Sequence, residues 1–355
     1  MQRRRVLINA ATRYALLITF TLLLTACAAT GTQPGRSGGK STGPTRPVNP
    51  VNPAAPVPST PAEGSLPMRL PPLGSTPPPA LPPRPSGSML APRAELPLGG
   101  QKILPDYRVV AYYGGPDGPA LGVLGAGTPD QAADAVTARA ATYTPYGRRV
   151  QPALELIATV AQGAPGPAGT YSAPISSSKI SAYLAAAHRH HLLLILDFQP
   201  GRSDFLSQVE ADSAFLSDPS VSVGLDPEWK MQPGQVPGRQ IGSASAADIN
   251  AVSRYLSGIV QSRHLPDKLL IVHQFTRSML PDRPDITIPP GVEVVLHADG
   301  NGTAEVKISV YRQLAFPGPP FGSGFKLFMT QDPGGPMTPA QVMRLTPRPD
   351  VISYQ

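Results

Sequence analysis

The chain has 355 residues, with 30 Lys and Arg against 23 Asp and Glu, and a single cysteine. One cysteine excludes an intramolecular disulfide. The formal charge of +7 is carried by the N-terminal hundred residues, and beyond Gly100 there are 20 basic against 21 acidic side chains, which excludes the basic footprint of a nucleic-acid-binding protein.

Arg3, Arg4, Arg5 and Arg13 precede an apolar run from Tyr14 to Leu24. A basic stretch, a short apolar core and small residues make an export signal, and the run is too short to be a processed membrane span. Leu24-Thr25-Ala26-Cys27 resembles the bacterial lipobox, which implies that Cys27 becomes a lipidated N-terminus after removal of a signal peptide over 1–27. The expectation is an exported lipoprotein anchored to the outer face of the bacterial cytoplasmic membrane. Of the 46 prolines, 19 fall between Gln33 and Gly100, a density at which little apolar surface can be buried to offset chain entropy. Residues 28–103 are predicted to be a disordered, Pro-rich tether.

From residue 104 to 355 the pattern changes to alternating strand-like and helical runs. Strands are predicted at Arg108–Gly114, Ala153–Ala161, Leu192–Phe198, Val221–Trp229, Leu269–Phe275, Val292–His297, Phe325–Thr330 and Val351–Gln355. Several are continuous apolar runs, as parallel strands covered on both faces require. Thr128-Pro129-Asp130-Gln131 is a capping box with proline at the first helical position. Helical spacing follows in Ala133/Val136/Ala140/Tyr143, Ile180/Leu184/Ala187, Phe205/Val209/Leu216, Ile249/Val252/Leu256/Ile259/Val260 and Val306/Val310/Leu314. Pro281, Pro284, Pro289 and Pro290 leave only a loop between the fifth and sixth strands. The predicted fold is α/β, a TIM-like (β/α)8 barrel, irregular between strands 5 and 6 and ending on strand 8. An open doubly wound sheet is the alternative.

In such a barrel, functional groups gather at the carboxyl ends of the strands. There the sequence places Tyr112 and Tyr113, Asp197 and Gln199, Asp226, Glu228 and Trp229, His273, His297 and Asp299, Gln331, and Tyr354. Period-two alternation puts Asp226 and Glu228 on one face if the strand runs through both. His188, His190, His191 and His264 fall at helix C-termini, where the macrodipole favours a cation, and are read as structural. Glu155, early in the second strand, is read as structural too, with Arg108 as the candidate partner that a buried carboxylate needs.

Asp226-x-Glu228 resembles the Asp-x-Glu at the end of the fourth strand in chitinase-type and muramidase-type barrel glycosidases. That resemblance implies Glu228 as general acid and Asp226 as its orienting group; Asp197, on the adjacent strand, is a separate candidate for a second carboxylate. It does not extend further. Gly224 and Val221 stand where the longer chitinase pattern has aspartates, Leu296-His297-Ala298-Asp299 replaces Met-x-Tyr-Asp, and Val109–Gly115 lacks the first-strand aspartate of the muramidases. The blocks Tyr113-Gly114-Gly115-Pro116, Asp226-Pro227-Glu228-Trp229, His273-Gln274-Phe275 and His297-Ala298-Asp299-Gly300 are similar to those of uncharacterised barrel-domain lipoproteins and secreted proteins of actinobacteria, a likeness that supplies no reaction.

Three functions remain open. The first is a glycoside-hydrolase-like lipoprotein that hydrolyses or remodels a polysaccharide by carboxylate acid/base catalysis through Glu228, Asp226 and Asp197. Its substrate would lie against Trp229, Tyr112, Tyr113, Gln199, His273, His297, Asp299, Gln331 and Tyr354. The second is a non-catalytic glycan-binding lipoprotein on the same scaffold. The third is a metal-dependent hydrolase using His273, His297, Asp299 and Glu228. Against the third, neither a His-x-His on the first strand nor a His-Glu-x-x-His pair is present, so no metal ligand and no cofactor is assigned. The expected partners are a glycan and the membrane, and no nucleic acid.

Overall fold

The computed structural model describes residues 93–316 and 320–355. The export signal, Cys27 and nearly all of the tether lie outside the described residues. Eight parallel strands close into a barrel: β1 (Tyr107–Gly114), β2 (Arg149–Ala161), β4 (Leu193–Phe198), β5 (Val221–Leu225), β6 (Lys268–Gln274), β7 (Val292–Ala298), β8 (Gly322–Leu327) and β9 (Val351–Tyr354). Pairing of β1 with both β2 and β9 closes the ring. One short strand, β3 (Ser172–Pro174), adds antiparallel to the overhanging end of β2. The open-sheet alternative is thereby excluded.

The helices form where their caps and apolar spacing place them. Thr128 and Gln131 satisfy each other's backbone amides at the start of α1 (Pro129–Ala141), removing donors that would otherwise be unpaired. Ser245 and Asp248 do the same for α5 (Ala246–Arg263), and Thr338 and Gln341 for α7 (Pro339–Val342). His191 closes α2 (Ser177–His190) and His264 closes α5, both in the left-handed conformation. Two short helices, α3 (Phe205–Ala211) and α4 (Ser213–Leu216), link β4 to β5. Between β6 and β7 the prolines permit only 3-10 turns at Arg277–Met279 and Arg283–Asp285. No helix among the described residues is long and apolar enough to cross a membrane.

Helix α6 (Ala304–Leu314) forms as expected but turned on its axis. Val306 is 48 % exposed, and the buried positions are Lys307, Tyr311 and Leu314. The cause is polar. Lys307 Nζ reaches Asp332 Oδ2 at 3.1 Å and Gly300 O at 2.8 Å, so a lysine takes the place that an apolar count gives to Val306.

Several strand boundaries also differ from expectation, β2 beginning at Arg149 rather than Ala153, and in β5 and β8 the reason is local. β5 stops at Leu225 because Pro227 has no N–H for the ladder and instead starts the 3-10 turn Pro227–Trp229. β8 begins at Gly322 rather than Phe325, since Gly322 and Gly324 face the lumen where side chains cannot fit. A Cβ on Gly324 would lie 1.9 Å from His297 Nδ1.

The lumen is filled in levels. Tyr107, Val109, Ala111, Ala153, Leu193, Ile195, Leu269, Ile271, Val295 and Val351 form the apolar lower part. Leu96 and Ile103 close it from below, and Glu293 accepts from the Ile103 and Leu104 amides. The packed structure therefore starts ahead of position 104. Continuing each of these inward registers by two residues takes the lumen from apolar to ionisable, at its carboxyl end.

Candidate active site at the carboxyl end of the barrel

Alternation along the strands decides which side chains enter the upper lumen. Tyr113 continues from Ala111, Glu155 from Ala153, Asp197 from Ile195, His273 from Ile271, His297 and Asp299 from Val295, Lys326 from Gly324 and Ser353 from Val351. All are buried. A buried charge needs partners, and these groups supply them to one another.

Tyr113 donates its hydroxyl to Asp197 Oδ2 at 2.9 Å. Asp197 Oδ1 is 3.7 Å from His273 Nε2, and His273 Nδ1 is 3.4 Å from Asp299 Oδ2. Asp299 Oδ2 is 4.0 Å from Lys326 Nζ, which stands 3.4 Å above the centre of the Tyr113 ring. These contacts complete a circuit round the lumen. Glu155 Oε1 joins it at His273 Nε2, 3.1 Å away, and Gln199 joins it by donating to the Tyr113 hydroxyl at 3.3 Å. His297 stands beside the circuit, with Nε2 2.8 Å from Ser353 Oγ and its ring 4.9 Å from that of His273.

The arrangement separates the proton affinities of its members. Burial and Lys326 oppose a charge on His273, but hydrogen bonds to Asp299 and Glu155 outweigh them and hold it well above the ordinary histidine value. His297 goes the other way. Burial, reinforced by the His273 and Lys326 charges, holds it well below, as a neutral ring. Burial raises Asp197, with Glu155 adding to the shift. Burial raises Asp226 well above the carboxylate range, with Asp197 and Glu228 contributing. For Asp299 the burial penalty is outweighed by His273 and Lys326, and the carboxyl is held below its usual value.

Glu228 sits apart from this packed circuit. The turn that Pro227 starts lifts it to the rim, where it is half-buried, while Asp226 stays in the lumen with only 3 % exposure. The extended strand that would put both acids on one face thus ends before them, although the two carboxyls still feel each other. Burial and the Asp299 charge raise Glu228 to about 7, against the opposing pull of Lys326 and His273. Trp229, next in the turn, is also half-buried.

Of the residues singled out in the sequence, Asp197, Gln199, Asp226, His273, His297, Asp299 and Tyr113 lie in the upper lumen or directly against it, and Glu228 and Trp229 at the rim. Tyr112 and Tyr354 do not join them. They face outward and pack edge to face at 6.2 Å, and Tyr354 pairs its hydroxyl with that of Tyr143 at 2.6 Å. Gln331 is exposed on the loop after β8. Arg108, the expected partner of Glu155, instead donates to Pro349 O at 3.1 Å, and His273 takes that role. Lys326 and Ser353 escaped the sequence reading. The available signal was a lysine inside Phe325-Lys326-Leu327-Phe328, a strand with no solvent face on which to place a charge. His188 contacts Asp218 at 2.9 Å and His190 contacts Asp130 at 3.1 Å, both far from the lumen group in the fold.

Neither a protein-family model nor a curated protein sequence matches this chain.

Proposed function

We propose that the barrel mouth is a hydrolytic site for a polysaccharide, with Glu228 as general acid, on an exported lipoprotein anchored through Cys27. The observation that supports this reading is the contrast between Glu228 and the groups beneath it. Glu228 is the one acidic residue of the group that is half-buried rather than buried, and burial of its carboxyl together with the Asp299 charge raises it to about 7. A glycosidic oxygen needs such an acid, and environments that push neighbouring carboxyls apart are how one site supplies both protonated and ionised groups.

In this reading Glu228 protonates the leaving oxygen, and Trp229 offers an aromatic face to a sugar ring beside it. Asp226, deeply buried beside it, is its neighbour in the turn, and Asp299 supplies the charge that raises Glu228. Asp197, held by the Tyr113 hydroxyl, positions His273 and does not touch substrate. The expected outcome is release of new reducing ends from one or more envelope polysaccharides by the purified protein. Glu228→Gln should lower that rate by roughly 10²–10⁴-fold, the usual contribution of a positioned general acid. Unchanged turnover in a folded Glu228→Gln protein would rule the reading out.

The burial of Asp197, His273, Asp299 and Lys326 in mutual contacts favours a second reading, a glycan-binding protein without turnover. Saturable binding that Trp229→Ala weakens, with no product after long incubation, distinguishes it from the first.

A further inference from the structure

We propose that Glu155, Asp197 and His273 bind one divalent transition-metal ion of the Zn²⁺ or Mn²⁺ class in the barrel lumen, below the level of Glu228. One donor atom from each of the three side chains lies within 4.8 Å of the other two, and all three residues are buried. His273 Nε2 is 3.1 Å from Glu155 Oε1 and 3.7 Å from Asp197 Oδ1. Around an ion with bonds of about 2.0–2.2 Å, neighbouring donors stand roughly 3–3.5 Å apart, so small carboxylate rotations complete the shell.

Three further observations point to an ion rather than to a closed salt-bridge network. First, Glu155 Oε2 and Asp197 Oδ1 are fully buried and have no hydrogen-bond partner among the described residues, a state that ordinarily costs stability. Second, Gly224 is the register partner of Asp197, four residues before Glu228. A Cβ there would stand 2.8 Å from Asp197 Oδ1, so the glycine keeps the flank of that oxygen open. Third, the groups around the three ligands are those that orient a metal site. Asp299 lies against the other ring nitrogen of His273 at 3.4 Å, and Tyr113 holds the second oxygen of Asp197 at 2.9 Å. A carboxylate behind a ligating histidine fixes which ring nitrogen faces the ion.

The donor set selects the ion. One imidazole with two carboxylates suits Zn²⁺ or Mn²⁺ better than Mg²⁺ or Ca²⁺, which favour oxygen alone. The ion takes the place of the proton between His273 Nε2 and Glu155 Oε1. Its charge offsets the excess of the Glu155, Asp197 and Asp299 carboxylates over Lys326. The ligands differ from those weighed in the sequence, since Glu155 and Asp197 enter and His297, Asp299 and Glu228 do not.

The inference is independent of the catalytic reading of Glu228, because the ion is counted without turnover. Untagged full-length protein is stripped with a chelator and titrated calorimetrically with ZnCl₂ or MnCl₂. Metal content is then measured after desalting. One ion per chain is expected, with affinity reduced tenfold or more in Glu155→Gln and in Asp197→Asn, and unchanged in His190→Ala, which tests the exposed His190–Asp130–Asp134 group. Absence of stoichiometric binding would overturn the proposal, as would binding that survives both lumen substitutions or is lost in His190→Ala. Should the lumen variants not fold, X-ray absorption of the zinc-loaded native protein decides. One imidazole with oxygen donors supports the site, and a shell with no imidazole or with several excludes it.

Discussion

His273 Nε2 lies 3.1 Å from Glu155 Oε1 inside the barrel, both side chains are fully buried, and 118 residues separate them in sequence. This contact ties β2 to β6 across the lumen. Removing one partner of a buried pair leaves the other uncompensated, at a cost of about 3 kcal/mol or more. Glu155→Gln should therefore lower the unfolding free energy of the chelator-treated protein by about that amount, read from urea denaturation at neutral pH.

Glu228 and His273 each contribute stability that is lost as pH rises. Glu228 titrates near 4.5 when unfolded and at about 7 when folded. Between those values the folded state keeps a proton that the unfolded state has released, so folding becomes less favourable as pH increases. His273 acts in the same direction. Its folded value is raised, so its contribution is complete below the unfolded value of about 6.5 and is lost as pH rises through the folded one. Asp299, with a depressed value, loses its contribution only below this window. In chelator-treated protein the melting temperature of the native chain, measured relative to Glu228→Gln, should decline from about pH 4.5 to about pH 7.

For the hydrolytic reading, kcat/KM should fall tenfold per pH unit above about 7, where Glu228 loses its proton. Asp299 raises Glu228 and Lys326 lowers it. Asp299→Asn should thus move the alkaline limb to lower pH and Lys326→Met to higher pH, in pH–rate profiles on a fixed polysaccharide. Shifts of the same sign in the two variants would contradict the assignment.

Gly324→Ala should destabilise the fold by about 1–3 kcal/mol, the usual result of forcing an extra methyl into a packed core, because its Cβ would overlap His297 Nδ1. Gly258→Ala gives the opposite sign. Gly258 is exposed within α5, and a Cβ there meets nothing within 4 Å, so the change should stabilise by roughly 0.5–1 kcal/mol. Thermal denaturation of the two variants tests both.

The sequence by itself determined the eight strand runs, the capping box that starts α1, and the prolines that bar a helix between β6 and β7. These are local properties: periodicity, side-chain reach over three residues, and a missing N–H. It also determined that Asp197, His273 and Asp299 fall at strand ends, and strand ends of a barrel converge. Which of two adjacent residues enters the lumen was left to the tertiary structure. Tyr113 points in and Tyr112 out, because the register of β1 against β2 and β9 selects the face. Glu155 acquired its partner in the same way, since no spacing in a chain reveals that position 155 will meet position 273. Only the fold placed Lys307 where Val306 was expected, as the gain from Asp332 and Gly300 depends on loops distant in sequence. The stretch from Asp226 to Trp229 shows both sides. Its two acids were legible as a pair, and the turn that Pro227 forces decided that Asp226 is buried while Glu228 is only half-buried.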